Sequence, residues 1–427
     1  MVSDTDPVVN ADPVVIVGAG LAGLSCAREL TRRGCRILLL DAAAEVGGRV
    51  RTRKVDGFRI DAGFQVLQLA YPEAQQQLDY AALKLQKFQP GALIRTQGRF
   101  VEMADPWRRP QAAFSTLFNG IGTLADRLRL GRLRADVMRG TVDQLLQADD
   151  MPLGDFLRQH CHFSEDFICR FLQPWFAGVF LEPDLQTSST FFRFLFRMFA
   201  SGDVAVPALG MQEIPKQLAI GINPAEIRLS TVVERVSSDH VILAGGERIS
   251  AAAVVLAVDG SAAAQLAGED VCPATGRGTV CLQFAAETAP VRQPVLLLNG
   301  DGPEAGPVNN VCVMSNVAAD YAPRDQALIS VSTCGIPEQD AASLESAVRT
   351  QLQQWFGDTV GQWNLLAADR IRFALPLQPA GMLKNLAGFR LSANGVYCCG
   401  DSFSSGSIHG AMQSGRLAAE ALALTLG

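Results

Sequence analysis

The N-terminal part of the chain alternates short apolar runs with one segment of helical length. Pro13–Val17 is an apolar run that ends at Gly18, Leu21–Gly34 has the apolar spacing of a helix, and Arg36–Leu40 is a second apolar run. Short, continuously apolar runs are typical of strands buried on both faces of a parallel sheet. This order predicts a β-α-β unit at the start of the chain.

The pattern changes along the rest of the chain. From about Ala74 to Ala200 the apolar positions follow helical spacing, including 124–142 and 156–171, and we expect a helical insert there. Strand patterns then return, followed by a helix over Ala341–Phe356 and a C-terminal helix from about Ser407 to Leu426. The strands predicted in these later parts are 227–229, 232–236, 241–243, 253–258, 280–284, 295–298, 328–332 and 396–399.

Composition narrows the class of protein. Of 427 residues, 48% are hydrophobic and 19% are charged, which is typical of a globular chain of two or three domains. The net charge of −6 would repel a nucleic-acid backbone, so we expect no nucleic-acid partner. The ten Cys form no CxxC pair, so we expect neither a metal site nor a disulfide framework. An acidic N-terminus and the lack of a long apolar stretch predict a cytoplasmic protein without a transmembrane segment.

The first candidate site lies between the first predicted strand and helix. Its sequence is Gly18-Ala19-Gly20-Leu21-Ala22-Gly23, and Asp41 ends the next predicted strand. In such a turn the first glycine permits a tight bend, the second allows backbone to approach a pyrophosphate, and the third allows close packing of helix on sheet. The N–H groups of the first helical turn attract phosphate, and an acid placed like Asp41 accepts hydrogen bonds from ribose. We interpret this site as a dinucleotide-binding turn.

A second pair of glycines follows the acid, in the run Gly47-Gly48-Arg49. Glycines admit a diphosphate to the backbone, and a guanidinium can pair with it through two hydrogen bonds. This run, together with the Gly400-Asp401 turn and the run Gly406–Arg416, resembles the superfamily of flavin amine oxidases, phytoene desaturases and protoporphyrinogen oxidases. The resemblance implies noncovalently bound FAD.

The resemblance also implies roles for the C-terminal residues. Asp401 would accept a hydrogen bond from a ribityl hydroxyl, and the backbone at Ile408 would face the N1/C2=O edge of the flavin. A helix that begins there would stabilise negative charge on the reduced flavin. His409, in the same turn, is the candidate catalytic acid or base, with capping and packing as the alternative.

Three further cofactor contacts follow from the resemblance. Gly63 and Phe64 would lie beside the isoalloxazine ring, and Val233 would contact the adenine through its backbone. The implied fold class is α/β, with a Rossmann-like FAD-binding domain of the glutathione-reductase type and a discontinuous mixed α+β substrate domain that includes the helical insert. The FAD-binding domain is predicted at 1–73, 202–265 and 380–427. The substrate domain is predicted at 74–201 and 266–379.

The distribution of lysine and aromatic residues bears on the substrate. Amine oxidases of the superfamily commonly carry a lysine near the flavin, whereas this chain has no Lys from 217 to 383 and the candidate strand Thr279–Phe284 is uncharged. The Phe-rich run Phe191–Phe199 is core, the lining of an apolar tunnel, or a peripheral membrane contact. His160 and His162, if helical, point apart and predict no metal site.

These features predict an FAD-dependent oxidoreductase that removes a hydride from a C–H bond of a small apolar or amine substrate. One alternative is a flavin-assisted isomerase of a polyene-like substrate. Another is a catalytically silent binding protein on the same fold, against which the intact glycines, Arg49 and Asp401 argue. The substrate, the electron acceptor and the oligomeric state stay open at this point.

Overall fold

A computed structural model describes residues 12–112, 119–268 and 275–426 of the chain. Its internal contacts divide the described residues into two compact units. Unit 1 is assembled from segments 12–48, 215–268 and 386–426, and unit 2 from segments 49–112, 119–214 and 276–385. Each unit therefore contains stretches that are distant in sequence.

Unit 1 is built on a six-stranded sheet. In order across the sheet its strands are β10 (Ile227–Arg228), β2 (Ile37–Leu40), β1 (Val14–Val17), β14 (Ala253–Leu256), β21 (Tyr397–Cys399) and β20 (Phe389–Leu391). The first five are parallel, and only β20 pairs antiparallel with its neighbour. All four residues of β1 are buried, as expected for a central parallel strand. A small antiparallel sheet adds β11 (Val233–Val236), β12 (His240–Leu243) and β13 (Arg248–Ser250).

Two helices of unit 1 pack closely on each other. They are α1 (Leu21–Arg32), which follows β1, and the C-terminal helix α11 (Ile408–Leu426). A Cβ atom at Gly415 would overlap with the carbonyl oxygen of Ala22, so the two helix backbones meet at this crossing. The structure confirms the predicted β-α-β unit and C-terminal helix. A shorter helix, α8 (Gly260–Ala267), follows β14.

Unit 2 contains a seven-stranded sheet that is antiparallel except for one parallel pair, β16 with β7. In order its strands are β19 (Asn364–Pro376), β15 (Gly276–Ala286), β18 (Ala327–Thr333), β17 (Val308–Val313), β16 (Leu296–Asn299), β7 (Gly91–Thr96) and β8 (Arg99–Ala104). One face of β15 packs Val280, Leu282 and Phe284 into an apolar core with Trp355 and Trp363. The opposite face carries buried polar side chains.

Smaller elements complete unit 2. Its other strands are β3 (Thr52–Val55) with β4 (Phe58–Asp61), and the three-stranded group β5 (Leu67–Gln68), β9 (Val204–Pro207) and β6 (Leu85–Lys87). Its helices are α2 (Pro72–Gln77), α3 (Leu124–Met138), α4 (Val142–Leu146), α5 (Gln173–Phe180), α6 (Ser189–Ser201), α9 (Met314–Val317) and α10 (Ala341–Phe356), with α7 (Glu213–Ala219) where the chain leaves the unit.

The predicted helical insert is only partly helical. After α2, which ends at Gln77, the described residues form β6, β7 and β8, and helix α3 follows after the N-cap residue Thr123. Strands β7 and β8 are joined by Gln97 and Gly98, both with positive φ, which is the geometry of a tight hairpin turn. The helical interpretation of 78–104 was wrong because apolar spacing was followed across this hairpin.

Two predicted helices of the insert are also interrupted. The predicted 124–142 helix ends at Met138, and Thr141 caps a new helix through its side chain. The segment 156–171 contains two π-helical turns separated by a break in which His162 has φ 58°. His160 and His162 therefore do not share a helix, and the part of the chain that the structure describes holds no cluster of three or more potential metal ligands.

The phenylalanines of α6 belong to a core. Phe191, Phe192, Phe194 and Phe196 are buried, and their rings contact those of Phe156, Phe176 and Phe180 among others. The interpretation of this run as a surface contact is wrong, because the side chains face inward. Within the described residues, no helix combines the length and apolarity needed to cross a bilayer.

Candidate functional site

The glycine turn of unit 1 has the conformation that its sequence predicts. Gly18 has φ 107° and its N–H donates to the carbonyl of Leu40 over 2.7 Å. A Cβ at Gly23 would overlap with the carbonyl oxygen of Gly18, so helix α1 lies tightly against the turn. A Cβ at Gly20 would meet no atom within 4 Å. Only Gly20 of the three thus has open space in front of its Cα.

Asp41 organises the edge of this turn. One carboxylate oxygen accepts from the N–H of Ala19 at 2.6 Å and the other from the N–H of Ala43 at 2.7 Å. Gly47 donates its N–H to the carbonyl of Ala19 at 2.8 Å, and a Cβ at Gly48 would lie 3.3 Å from the Cα of Gly20. The two glycine-rich segments are therefore in direct contact, next to a carboxylate.

Asp401 reaches the same edge of the sheet from the other end of the chain. It follows β21 after Gly400, whose N–H donates to the hydroxyl of Ser414 at 2.7 Å, and its side chain is buried. Because β2, β1, β14 and β21 are parallel, their carboxyl ends share one edge. Asp41, Gly18 and Asp401 all lie at these ends. In open parallel sheets this edge is where ligands bind.

Helix α11 begins close to Asp401 in sequence. The hydroxyl of Ser407 accepts from the N–H of Gly410 at 3.0 Å, which makes Ser407 the capping residue and Ile408 the first helical residue. His409 is buried in this first turn. A Cβ at Gly410 would overlap with the carbonyl oxygen of Ser405, so the turn before the helix is tightly packed.

Val233 starts the small antiparallel sheet of unit 1, and the chain just before it runs beside Asp41. Thr231 donates its N–H to the carbonyl of Asp41, and Ser230 donates to the carbonyl of Ala43, both at 2.8 Å. The structure thus brings the segment that leads to Val233 beside the acid at the end of β2.

Three of the predicted cofactor contacts belong to unit 2. Arg49 donates from its guanidinium to the carbonyl of Ala374 at 2.8 Å and lies 5.7 Å from the ring centre of Phe373. Gly63 has φ 86°, and a Cβ there would lie 2.9 Å from the side chain of Ile371. The ring of Phe64 meets that of Phe88 edge to face at 6.3 Å.

A buried carboxylate fixes the segment that precedes Gly63. Asp61 accepts hydrogen bonds from the hydroxyl of Thr52 at 2.5 Å, the hydroxyl of Tyr321 at 2.7 Å and the N–H of Met211 at 3.0 Å. Burial raises the pKa of Asp61 to about 6, although these three donors act to lower it. Burial and the adjacent carboxylate raise the pKa of Tyr321 well above 10.

Sequence reasoning missed this network. Asp61 and Met211 lie 150 residues apart, and no local pattern in the sequence links them. The link depends on Gly210, which has φ 103° and whose Cβ would lie 2.5 Å from Thr52. The one signal for this network in the sequence is Gly210, which precedes Met211, the donor to the buried carboxylate of Asp61.

The polar face of the unit 2 sheet is neutral at its centre. Gln283 donates its amide N–H to the hydroxyl of Ser330 and to the sulfur of Cys281, both at 3.2 Å, and Cys281 lies 3.3 Å from the Ser330 hydroxyl. The amide oxygen of Gln283 has no hydrogen-bond partner among the described residues. Burial raises the pKa of Cys281 to about 11, so the thiol is neutral. As the sequence indicates, no lysine lies on this strand.

The nine described cysteines are all free thiols, and five of them are buried. Cys398 and Cys399 of β21 are among the buried ones, and burial raises the pKa of Cys399 well above 9. A protonated, buried thiol is a poor nucleophile.

A six-stranded sheet with five parallel strands, and with two glycine loops and two acids at one edge, is typical of a dinucleotide-binding α/β protein. The chain also matches the model of the flavin containing amine oxidoreductase family over residues 21–423. It belongs to this family of flavin-containing oxidoreductases.

Individual relatives are similar over shorter stretches. Coproporphyrinogen III oxidase of Propionibacterium freudenreichii is 26% identical over 188 residues, which are 42% of this chain and 34% of the oxidase. Hydroxyneurosporene desaturase of Rubrivivax gelatinosus is 52% identical over 50 residues, 12% of this chain and 10% of the desaturase. The matched stretches thus span about a third or less of these two curated relatives.

Solved structures share the whole fold. Cyclohexylamine oxidase from Brevibacterium oxydans superposes with a TM-score of 0.70 at 18% identity, covering 98% of this chain and 100% of the oxidase. Putrescine oxidase bound to putrescine superposes with a TM-score of 0.72 at 16% identity, covering 97% and 99%. At such identities the likeness establishes the fold, which agrees with the predicted fold class.

Proposed function

We propose that the chain binds FAD noncovalently through unit 1 and removes a hydride from a C–H bond of a small, uncharged apolar substrate or an amine. The observation that carries the proposal is the contact between the two glycine loops, flanked by Asp41 and Asp401 at one sheet edge. No atom lies within 4 Å of a Cβ placed at Gly20, so a diphosphate could approach this backbone, and α1 has no side-chain cap that would compete for its first N–H groups.

Each proposed contact has a chemical reason. Asp41 has acceptor capacity left for ribose hydroxyls, because each carboxylate oxygen can accept more than one hydrogen bond. Asp401 would accept from a ribityl hydroxyl, and the N–H groups at Ile408 would face the pyrimidine edge of the flavin. The family resemblance adds Val233 at the adenine, Arg49 at the diphosphate, and Gly63 with Phe64 at the ring.

FAD supplies the hydride acceptor, so the protein has to bind and orient the cofactor and the substrate and to exclude water from them. We assign substrate binding to unit 2 and regard His409 as the candidate acid or base. Its buried position in the first turn of α11 also suits a packing role. The buried, neutral side chains of β15 and the absence of a lysine there favour an uncharged substrate over a primary amine.

The buried thiols of β21 support noncovalent binding of the cofactor. Cys398 and Cys399 are the cysteines nearest to Asp401 in sequence, and both are buried. Acid precipitation should therefore release the yellow colour into the supernatant. Colour that stays with the precipitated protein would contradict noncovalent binding.

The reaction is tested by anaerobic titration of the purified holoenzyme with apolar and amine substrates. Net oxidation bleaches the visible absorbance of the flavin in step with substrate added. Turnover that requires prereduced enzyme and consumes no acceptor would instead identify an isomerase. A protein that takes up no FAD on addition would be a binding protein.

Cofactor binding is tested separately with Gly20→Leu. Because the space in front of Gly20 is open, the variant should fold, but its side chain fills the proposed diphosphate site. We expect it to purify colourless. Gly245→Leu is the matched control, since a Cβ there also meets no atom within 4 Å, in the turn between β12 and β13. Equal flavin content in both variants would contradict the assignment.

A further inference from the structure

One face of the seven-stranded sheet of unit 2 carries small, uncharged side chains. Side chains alternate along β15, so Cys281 and Gln283 point to the opposite side from the core residues Leu282 and Phe284. The pairing of β15 with β18, and of β18 with β17, continues this face across three strands. We call it the polar face, and its members, all of them buried, are Cys281, Gln283, Asn310, Cys312, Ser330 and Ser332.

Gln283 has a fixed orientation on the polar face. Its amide nitrogen donates to the hydroxyl of Ser330 and to the sulfur of Cys281, both at 3.2 Å, and these bonds distinguish the nitrogen from the oxygen. No group in the described part of the chain donates to the amide oxygen, although only 3% of the residue is exposed. A buried acceptor without a donor costs free energy, which a donor from a ligand would recover.

Gln351 shows how another buried glutamine of unit 2 is held. It is 2% exposed, its amide oxygen accepts from the N–H of Val308 at 2.7 Å, and its nitrogen donates to the carbonyl of Val308 at 3.4 Å. Both ends of this amide are bonded, as is usual for buried polar groups. The unpaired acceptor of Gln283 is therefore specific to the polar face.

The charge of the polar face limits the kind of donor that fits it. Burial raises the pKa of Cys281 to about 11 and that of Cys312 further, so all six side chains are uncharged near neutral pH. Asp369, opposite Cys281 on β19, is paired with Arg53 at 2.8 Å. An ammonium group at Gln283 would be buried without a carboxylate of this face to pair with, which is costly. An uncharged donor fits better.

We propose that the amide oxygen of Gln283 accepts a hydrogen bond from a hydroxyl group of the substrate, so that the substrate is a neutral, largely apolar alcohol. A hydroxyl fits because it can donate to Gln283 and accept from the hydroxyl and thiol groups beside it. The inference rests on the proposed function, since it places this substrate contact in unit 2. A substrate without the hydroxyl would leave the buried acceptor unpaired and would bind more weakly.

The binding test compares alcohols with their methyl ethers, which keep the oxygen but cannot donate. Cyclohexanol, benzyl alcohol and geraniol, each paired with its methyl ether, are titrated into the full-length holoenzyme by isothermal titration calorimetry. We expect the wild type to bind at least one alcohol about tenfold or more tightly than its ether. A wild type with no such preference in any pair would overturn the proposal.

Gln283→Leu removes the acceptor and keeps a side chain of similar size. It should bind both members of the preferred pair with affinities within about twofold of each other. Gln351→Leu is the matched control and should keep the wild-type preference, because Gln351 bonds to Val308 and not to the polar face. A preference for the alcohol that persists in Gln283→Leu would also overturn the proposal.

The thermal midpoints of the same holoenzymes without substrate give a second readout. Gln283→Leu loses two donor bonds but also removes the unpaired acceptor, so its midpoint should stay within about 2 °C of wild type. Gln351→Leu leaves the N–H and carbonyl of Val308 unpaired and should lower the midpoint by about 4 °C or more. An equally large loss in both variants would show that the amide oxygen of Gln283 is already bonded in the protein, against the proposal.

Calorimetry measures binding and not turnover, so failure of this inference is distinguishable from failure of the proposed function. Reduction of the flavin by substrates, without any preference for alcohols, would contradict only the role of Gln283. A preference for alcohols that Gln283→Leu abolishes, in a protein whose flavin no substrate reduces, would contradict only the proposed reaction.

Discussion

At the scale of single residues, Asp61 is a buried carboxylate of unit 2 that three hydrogen-bond donors hold in place. It is buried, and its three donors come from β3, from the turn before α7 and from the segment after α9. Removing a carboxylate from water disfavours its charged form, and the hydrogen bonds compensate only in part. One side chain therefore joins three distant stretches of chain just before Gly63.

The free energy of unfolding should depend on pH through the protonation of Asp61. The pKa of Asp61 is raised from 3.8 to about 6, so the folded state holds the proton more tightly than the unfolded state. Its contribution to stability is complete below about pH 4, decreases between pH 4 and 6, and is constant above. Relative to Asp61→Asn, the wild type should lose about 2–3 kcal/mol of unfolding free energy between pH 4 and 7.

Urea denaturation at several pH values measures this difference. Asp184→Asn is the control, because Asp184 is an exposed aspartate of the same unit. If the curves of wild type and Asp61→Asn ran parallel from pH 4 to 7, the carboxylate of Asp61 would titrate as in the unfolded chain.

At the scale of elements, the crossing of α1 and α11 fixes the relation between the two ends of the chain within unit 1. Gly415 lies against the carbonyl of Ala22, where any side chain would overlap with backbone. Contact between helix backbones is possible only where the side chain is absent. This crossing holds the glycine turn and the segment after Asp401 in one unit.

Gly415→Ala should separate the helices and lower the unfolding free energy by about 1–3 kcal/mol, because a packed backbone cannot make room. Gly131→Ala in α3 is a matched helical control, since its Cβ would lie at an ordinary 3.6 Å from Trp107. Alanine favours a helix over glycine, so that variant should gain up to about 1 kcal/mol. Thermal or urea denaturation compares the two. Stabilisation by both substitutions would show that the crossing is looser than described.

At the scale of the whole molecule, unit 1 is held together by contacts between three chain segments. A ligand that binds across segments 12–48, 215–268 and 386–426 binds only the folded state. FAD, as proposed, would contact Gly20, Asp41, Val233 and Asp401, which come from all three segments. The cofactor should therefore stabilise the fold as well as supply the redox chemistry.

Added FAD should raise the unfolding free energy of the deflavinated protein by about 2.7 kcal/mol at 100 times its dissociation constant. FMN, which lacks the adenylate half, should stabilise less because it cannot reach Asp41 and Val233. Differential scanning fluorimetry with both flavins measures the effect. The Gly20→Leu variant serves as the control and should not respond. Equal stabilisation by FMN and FAD would contradict the adenosine site in unit 1.

The sequence determined the elements that carry their own local signal. Gly18, Gly20 and Gly23 lie between two apolar runs, and the β-α-β unit around them forms within two residues of its predicted bounds. Helix α10 has the predicted bounds Ala341–Phe356 because Asp340 caps it and Gly357 follows it. The family was also evident from sequence, because the glycine runs and the acids Asp41 and Asp401 resemble the motifs of that family.

Other features depended on contacts that no local pattern records. Helical spacing over 78–104 hid a hairpin, since the pairing of β7 with β8 and β16 supplies partners that a short window cannot contain. The Phe-rich run of α6 could not be assigned to core or surface until its partners were known. The burial of Asp61 also depends on partners that are distant in sequence. Proximity across the chain, rather than residue type, decides whether a carboxylate is buried and whether an apolar stripe is covered.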